Sequence, residues 1–85
     1  MTKKDKLIER FLAAPKDFDF DELVKLFNHF GFEIGNKGKT SGSRVEFKNE
    51  NLDLKYYAHK PHPNNIVKIY VLRQVKEFLI DNNLL

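Results

Sequence analysis

Eighty-five residues without a cysteine exclude a disulfide framework and cysteine-ligated zinc, so the fold must rest on one modest apolar core, for which eight phenylalanines are available. No apolar run is long enough for a membrane span or a signal peptide, and the absence of cysteine fits a reducing cytoplasm. The net charge of +3 hides a division along the chain: residues 1–33 carry six Lys/Arg against seven Asp/Glu, residues 34–76 nine against three, and residues 77–85 two acids.

A basic excess concentrated in this way points to a polyanionic partner, nucleic acid before membrane because no basic amphipathic helix accompanies it. The alternative is a solvated lysine-rich surface.

Lys3 to Ala14 reads as a short helix with Leu7, Ile8, Phe11 and Leu12 on one stripe, stopped by Pro15. Asp19 then has the look of an N-cap, with Glu22 three residues on to complete a capping box and Phe18 and Leu23 as a hydrophobic staple. The helix that follows should bury Leu23, Leu26, Phe27 and Phe30 and end at Gly31, with His29 off the stripe near the negative end of the dipole. Phe32-Glu33-Ile34 is a first short strand, and Gly35-Asn36-Lys37-Gly38 reads as a turn or loop.

Residues 44–59 alternate with a period of two. Val45 and Phe47 on the way out, and Leu52, Leu54, Tyr56 and Ala58 on the return, form the apolar set of a hairpin with one wet face. A two-residue turn at Glu50-Asn51 would set Asn49 opposite Leu52, Phe47 opposite Leu54 and Val45 opposite Tyr56. On the wet face it would pair Lys48 with Asp53, Glu46 with Lys55 and Arg44 with Tyr57, and place His59 opposite Gly42, beside Ser43 and Arg44. After the hairpin, Pro61 and Pro63 hold His62 in extended backbone. A final helix is clear from Leu72, with Leu72, Val75, Phe78 and Leu79 inward; the β-branched Ile66, Val67, Ile69 and Val71 leave its start open. The order predicts an α+β fold, a three-stranded antiparallel sheet with helices packed on one face and an extra N-terminal helix.

Three chemical readings compete for the basic segment. Gly-Lys-Thr at 38–40 ends like a phosphate loop, but Glu33 stands where the motif needs its first glycine, and a strand follows in place of a helix. The milder alternative is a loop whose backbone N–H groups hold one phosphate. His59 and His62 are too few for zinc, and Lys60 between them repels a cation, so no metal or other cofactor is expected. Acid–base chemistry remains. An imidazole titrates near working pH, and RNA cleavage needs a base for the 2′-hydroxyl and an acid for the leaving oxygen. An arginine or lysine alongside would stabilise charge on phosphorus. The competing account is that prolines position both histidines for structural reasons only.

Residues 17–83 resemble the HicA family of toxins from type II toxin–antitoxin systems. The likeness runs through Glu22-Leu23-Val24-Lys25-Leu26 into Phe30-Gly31-Phe32-Glu33, a basic glycine loop, Ser41-Gly42-Ser43-Arg44-Val45 and Phe47, a proline-flanked histidine segment, and a helix from Val71 through Leu79. The resemblance implies a small ribosome-independent mRNA interferase with a double-stranded-RNA-binding-like fold, and an antitoxin of the HicB kind covering its active face. It also implies one domain over residues 1–85, with 1–16 an addition to a 17–83 core. Family toxins commonly carry Gly-Ser-His at this strand start, the histidine being taken as catalytic; here Arg44 follows Gly42-Ser43. Arginine stays protonated and cannot serve as base. Either His59 takes over the proton transfer, with His62 as second partner and Arg44 on the phosphorus, or the protein binds RNA without cutting it. Contacts to RNA are then expected from Lys37, Lys39, Ser41, Ser43, Lys55 and Lys60, with Tyr57 stacking on an unpaired base. A third reading is a protein-interaction domain that docks an acidic partner.

Overall fold

The capping box forms as the sequence predicts. The Asp19 carboxylate accepts the backbone N–H of Glu22 at 2.8 Å, and Glu22 accepts that of Asp19 at 3.0 Å. In the computed structural model, which describes residues 3–35, 44–61 and 64–85, this cap opens helix α2 (Phe20–His29), whose inner face buries Phe20, Leu23, Leu26 and Phe27. Gly31 ends it at φ +89°, in the left-handed region that suits glycine. Phe30, expected in the buried stripe, is instead the half-buried C-cap.

Helix α1 (Lys3–Leu12) stops two residues short of the predicted Ala14. It is fastened to the α2 cap by Arg10, which donates to Glu22 through Nε at 2.7 Å and Nη2 at 3.2 Å, and to Asp17 at 3.1 Å. The hydrogen bond from Arg10 is the main reason the Glu22 carboxyl titrates below its ordinary value. Phe11 and Phe18 meet behind this clamp, their ring centroids 5.9 Å apart.

Three antiparallel strands follow, β1 (Glu33–Gly35), β2 (Arg44–Asn49) and β3 (Leu54–His59), side by side in chain order. The class is α+β, as predicted. Phe27 is the hub of the core. It stacks on Phe47 of β2 at 4.2 Å and on Tyr56 of β3 at 5.5 Å, and meets Phe32 edge-on at 5.2 Å. Tyr56 in turn lies 4.9 Å from Phe78 of helix α3 (Ile69–Asp81). The helical layer therefore covers one side of the sheet. Alternation sends Arg44, Lys48, Lys55, Tyr57 and His59 to the exposed side.

The register departs from the predicted one by two residues. Phe47 faces Tyr56, Val45 faces Ala58, and Arg44 faces His59. The loop is four residues, 50–53, rather than two, and Leu52 lies outside the strand with 48 % of its surface exposed. The cause is Asn49. Only 2 % of its surface is exposed, its Nδ2 donates to the Phe30 carbonyl at 3.0 Å, and its Oδ1 accepts the Leu52 N–H at 3.1 Å. That second bond closes the turn from the side chain and lengthens it. A displacement of two leaves the residues that remain in β2 and β3 on their predicted faces.

Helix α3 begins at Ile69, three residues before the point where its stripe becomes legible. Ile66 does not extend the helix. It bridges Asp19, while the Phe20 N–H donates to the Asn65 carbonyl and the Val67 N–H to the Phe18 carbonyl, both at 2.8 Å. Ile66 and Val67 thus form a short extended tie along the entrance to α2, whereas Ile69 and Val71 lie in the helix that follows the N-cap Lys68.

Asn49→Ala leaves the Phe30 carbonyl and the Leu52 N–H without their partner, and is expected to cost about 2 kcal/mol in urea denaturation. Glu22 supplies a second prediction. A carboxyl held below its ordinary value near 4.5 when folded stabilises the fold above that pH, and the contribution fades as pH falls through the lowered folded value. Glu22→Gln should therefore lower stability by about 1 kcal/mol at neutral pH and by much less at pH 3, as read by thermal melts across that range.

Candidate nucleic-acid interface

Strand pairing builds this surface. Residues directly opposite in an antiparallel pair share a face, so the Arg44–His59 pairing puts guanidinium and imidazole on the same exposed side at one end of the hairpin. The Arg44 guanidinium carbon also lies 4.5 Å from the centroid of the Tyr57 ring. A cation–aromatic contact forms at that distance, and it occupies one face of a ring that is 48 % exposed. Cation, aromatic ring and imidazole are thereby gathered at adjacent positions of two strands.

Two of the three predicted wet-face contacts exist even though the register moved. Lys55 reaches Glu46 at 3.8 Å, and Arg44 reaches Tyr57. Both became diagonal rather than direct, a span that long side chains cover. The third is replaced: Lys48 pairs with Glu50 at 3.8 Å and not with Asp53, which sits at φ +55° at the end of the four-residue loop. Lys55, expected on phosphate, thus shares its charge with a carboxylate. Exposed pairs of this length are weak enough to exchange for another anion.

Of the residues singled out in the sequence, Arg44, Lys55, Tyr57, His59 and Lys60 are described and exposed. Lys37, Lys39, Ser41, Ser43 and His62 lie outside the described residues. Beyond the outer edge of β3, a groove of about 320 Å³ runs between Tyr57, His59 and Lys60 on one side and Lys68, Tyr70 and Gln74 on the other. Sequence reasoning passes over Tyr70, which is 60 % exposed. Its signal is present all the same, since an aromatic residue off the Leu72, Val75, Leu79 stripe has no core to fill.

Fold and site together define a small α+β protein with one helical layer and an open sheet face that displays an arginine, a tyrosine and a histidine. A family profile described as HicA toxin of bacterial toxin-antitoxin matches residues 20–80. The chain belongs to this family, and is thereby a toxin of a toxin–antitoxin system for which an antitoxin partner is implied. Helix α1 lies outside the matched range. No curated protein and no solved structure matches the chain. Among the described residues, no helix is long and apolar enough to cross a membrane.

The register can be checked chemically because the chain has no cysteine of its own. Opposed Cα atoms lie about 4.5–5.5 Å apart, within disulfide reach, and diagonal ones about 7–8 Å, beyond it. The double variant Arg44→Cys/His59→Cys should oxidise in air, whereas Arg44→Cys/Tyr57→Cys should keep both thiols titratable. The opposite result would restore the two-residue turn.

Proposed function

We propose that this toxin binds and cleaves RNA on the exposed sheet face, by phosphodiester transfer that needs no metal. The observation that carries the reading is the cross-strand pairing of Arg44 with His59 on the open side, with Tyr57 beneath the guanidinium. His59 takes the proton of a ribose 2′-hydroxyl, and the 2′-oxygen attacks the adjacent phosphorus. The bond to the 5′-oxygen breaks, leaving a 2′,3′-cyclic phosphate, and the departing oxygen receives a proton for which His62 is the sequence candidate. Arg44 meets the charge that builds on the phosphoryl oxygens. The free face of Tyr57 stacks on an unpaired base, and Lys55 and Lys60 hold flanking phosphates. From the sequence, Lys37, Lys39, Ser41 and Ser43 complete the phosphate contacts. A HicB-like antitoxin would silence this face by covering it, and the encounter would take place in the cytoplasm.

Incubation of the protein with long single-stranded RNA tests the reading. His59→Ala is expected to slow cleavage by about 10²-fold or more while binding persists. Unchanged cleavage in that variant would remove His59 from the chemistry. RNA that is bound but never cut by the wild-type protein would favour a binding module, and a failure to bind at low salt, with a stable complex to a co-expressed acidic protein, would favour the docking domain.

A further inference from the structure

The groove outside β3 differs in charge from the sheet face that adjoins it. Glu46 stands among the basic residues of the sheet, and Lys48 and Lys55 each have a carboxylate within 3.8 Å. Among the described residues that line the groove none is acidic, and it carries two lysines, Lys60 and Lys68, together with His59. Both lysines are exposed. Aromatic surface accompanies the charge. Tyr57 and Tyr70 stand at the groove with 48 % and 60 % of their surfaces open, more than the core requires of either ring. Gln74 follows Tyr70 by one helical turn, so both project from the same side of α3 and bring an amide next to the ring.

Exposed aromatic rings interleaved with lysines, in a cleft without carboxylates, match a single-stranded polynucleotide. Stacking takes hold of bases irrespective of sequence, and the cations follow the backbone. An acidic peptide would satisfy the lysines but has no use for two open ring faces. We propose that the groove between β3 and the start of α3 is a nucleotide-binding subsite continuous with the proposed cleavage site: Tyr70 is the stacking platform for a base one or two positions from the one on Tyr57, Lys68 and Lys60 contact the phosphates between them, and Gln74 meets the base edge. The proposal rests on the RNA reading of the sheet face and extends it across the β3 edge. An unpaired strand passes from the Arg44–His59 pair over the edge and down into the groove. Because a stacked base must be free of its complement, the subsite selects single strands over duplexes.

The test uses the full chain and a 2′-O-methyl hexaribonucleotide carrying one 2-aminopurine. The methyl group removes the attacking hydroxyl, so binding is read apart from cleavage, and stacking quenches the fluorophore. Tyr70→Ala is expected to weaken binding about 10-fold, within the range of one lost stacking contact, and to reduce the quench. Tyr70→Phe should restore both. Lys68→Gln should weaken binding less and lower the slope of log affinity against log salt by about one. The melting temperature of Tyr70→Ala should match wild type, since its ring is mostly exposed. Wild-type affinity and quench in Tyr70→Ala, with binding still lost in Tyr57→Ala, would overturn the subsite and leave the sheet-face reading standing. If the wild-type protein does not bind the oligomer at low salt, and a poly-glutamate peptide occupies the groove instead, both readings fall.

Discussion

One buried amide determines how the hairpin is read. Asn49 spends its donor on the last turn of α2 and its acceptor on the loop between β2 and β3. It can do so only because Gly31 comes close: a Cβ built there would lie 3.0 Å from the Asn49 Nδ2. The φ of +89° at Gly31 ends the helix, and its missing side chain makes room for the amide. Helix end, first strand and hairpin turn are thus joined through a single side chain. Because the amide closes the turn over four residues, it also sets which residue of β3 meets Arg44, and that residue is His59. The position of the candidate site follows from a polar bond on the far side of the sheet.

Local chemistry is legible in the sequence, and distances are less so. Capping at Asp19 and termination at Gly31 are decided within a few residues, and the order of residues alone is enough to read both. Face assignment is readable too, because alternation depends on parity alone. Register requires the loop length, which turns on whether Asn49 is a strand residue at the rim or a buried amide that closes a turn. Its burial depends on Gly31 and Phe30, close in space and 18 and 19 residues away in sequence. The start of α3 is hidden for a similar reason. Ile66 and Val67 are committed to a backbone tie with Phe18 and Asp19, a partnership that no periodicity within 66–71 reveals. The groove escapes a sequence reading because it joins β3 to a helix whose beginning the pattern leaves open. His62 and residues 36–43 lie outside the described residues, so the share of the site assigned to them rests on sequence.

Position refines what the summed charge says. Nine basic residues against three acidic ones over 34–76 suggest a uniformly cationic surface. In the fold the three acids are not spread evenly. Glu46 and Glu50 sit beside Lys55 and Lys48, and Asp53 is in the loop at the same end of the hairpin as Glu50. Beyond the edge of β3, by contrast, Lys60 and Lys68 line a groove whose described lining residues include no acid. The carboxylates of this segment are thus gathered on the sheet face and at the turn, and the lysines of the groove stand apart from them.

The same edge poses a problem for any small sheet. β3 is an edge strand, and an unprotected edge invites another strand to pair with it. The chain leaves β3 at His59 into Lys60 and Pro61, a charge and a residue without an N–H, both of which discourage extension of the ladder. Tyr70 of α3 and its N-cap Lys68 stand across the groove beyond. The side chains that make the edge a poor partner for a β-strand are thus the ones the proposal assigns to a phosphate backbone and its bases. Protection from self-association and the proposed recognition of a polyanion make the same demand here: positive charge and stacking surface in place of a bare backbone edge. That convergence explains how an 85-residue chain with one modest core can place its candidate chemistry on an outer strand without an additional layer to shield it.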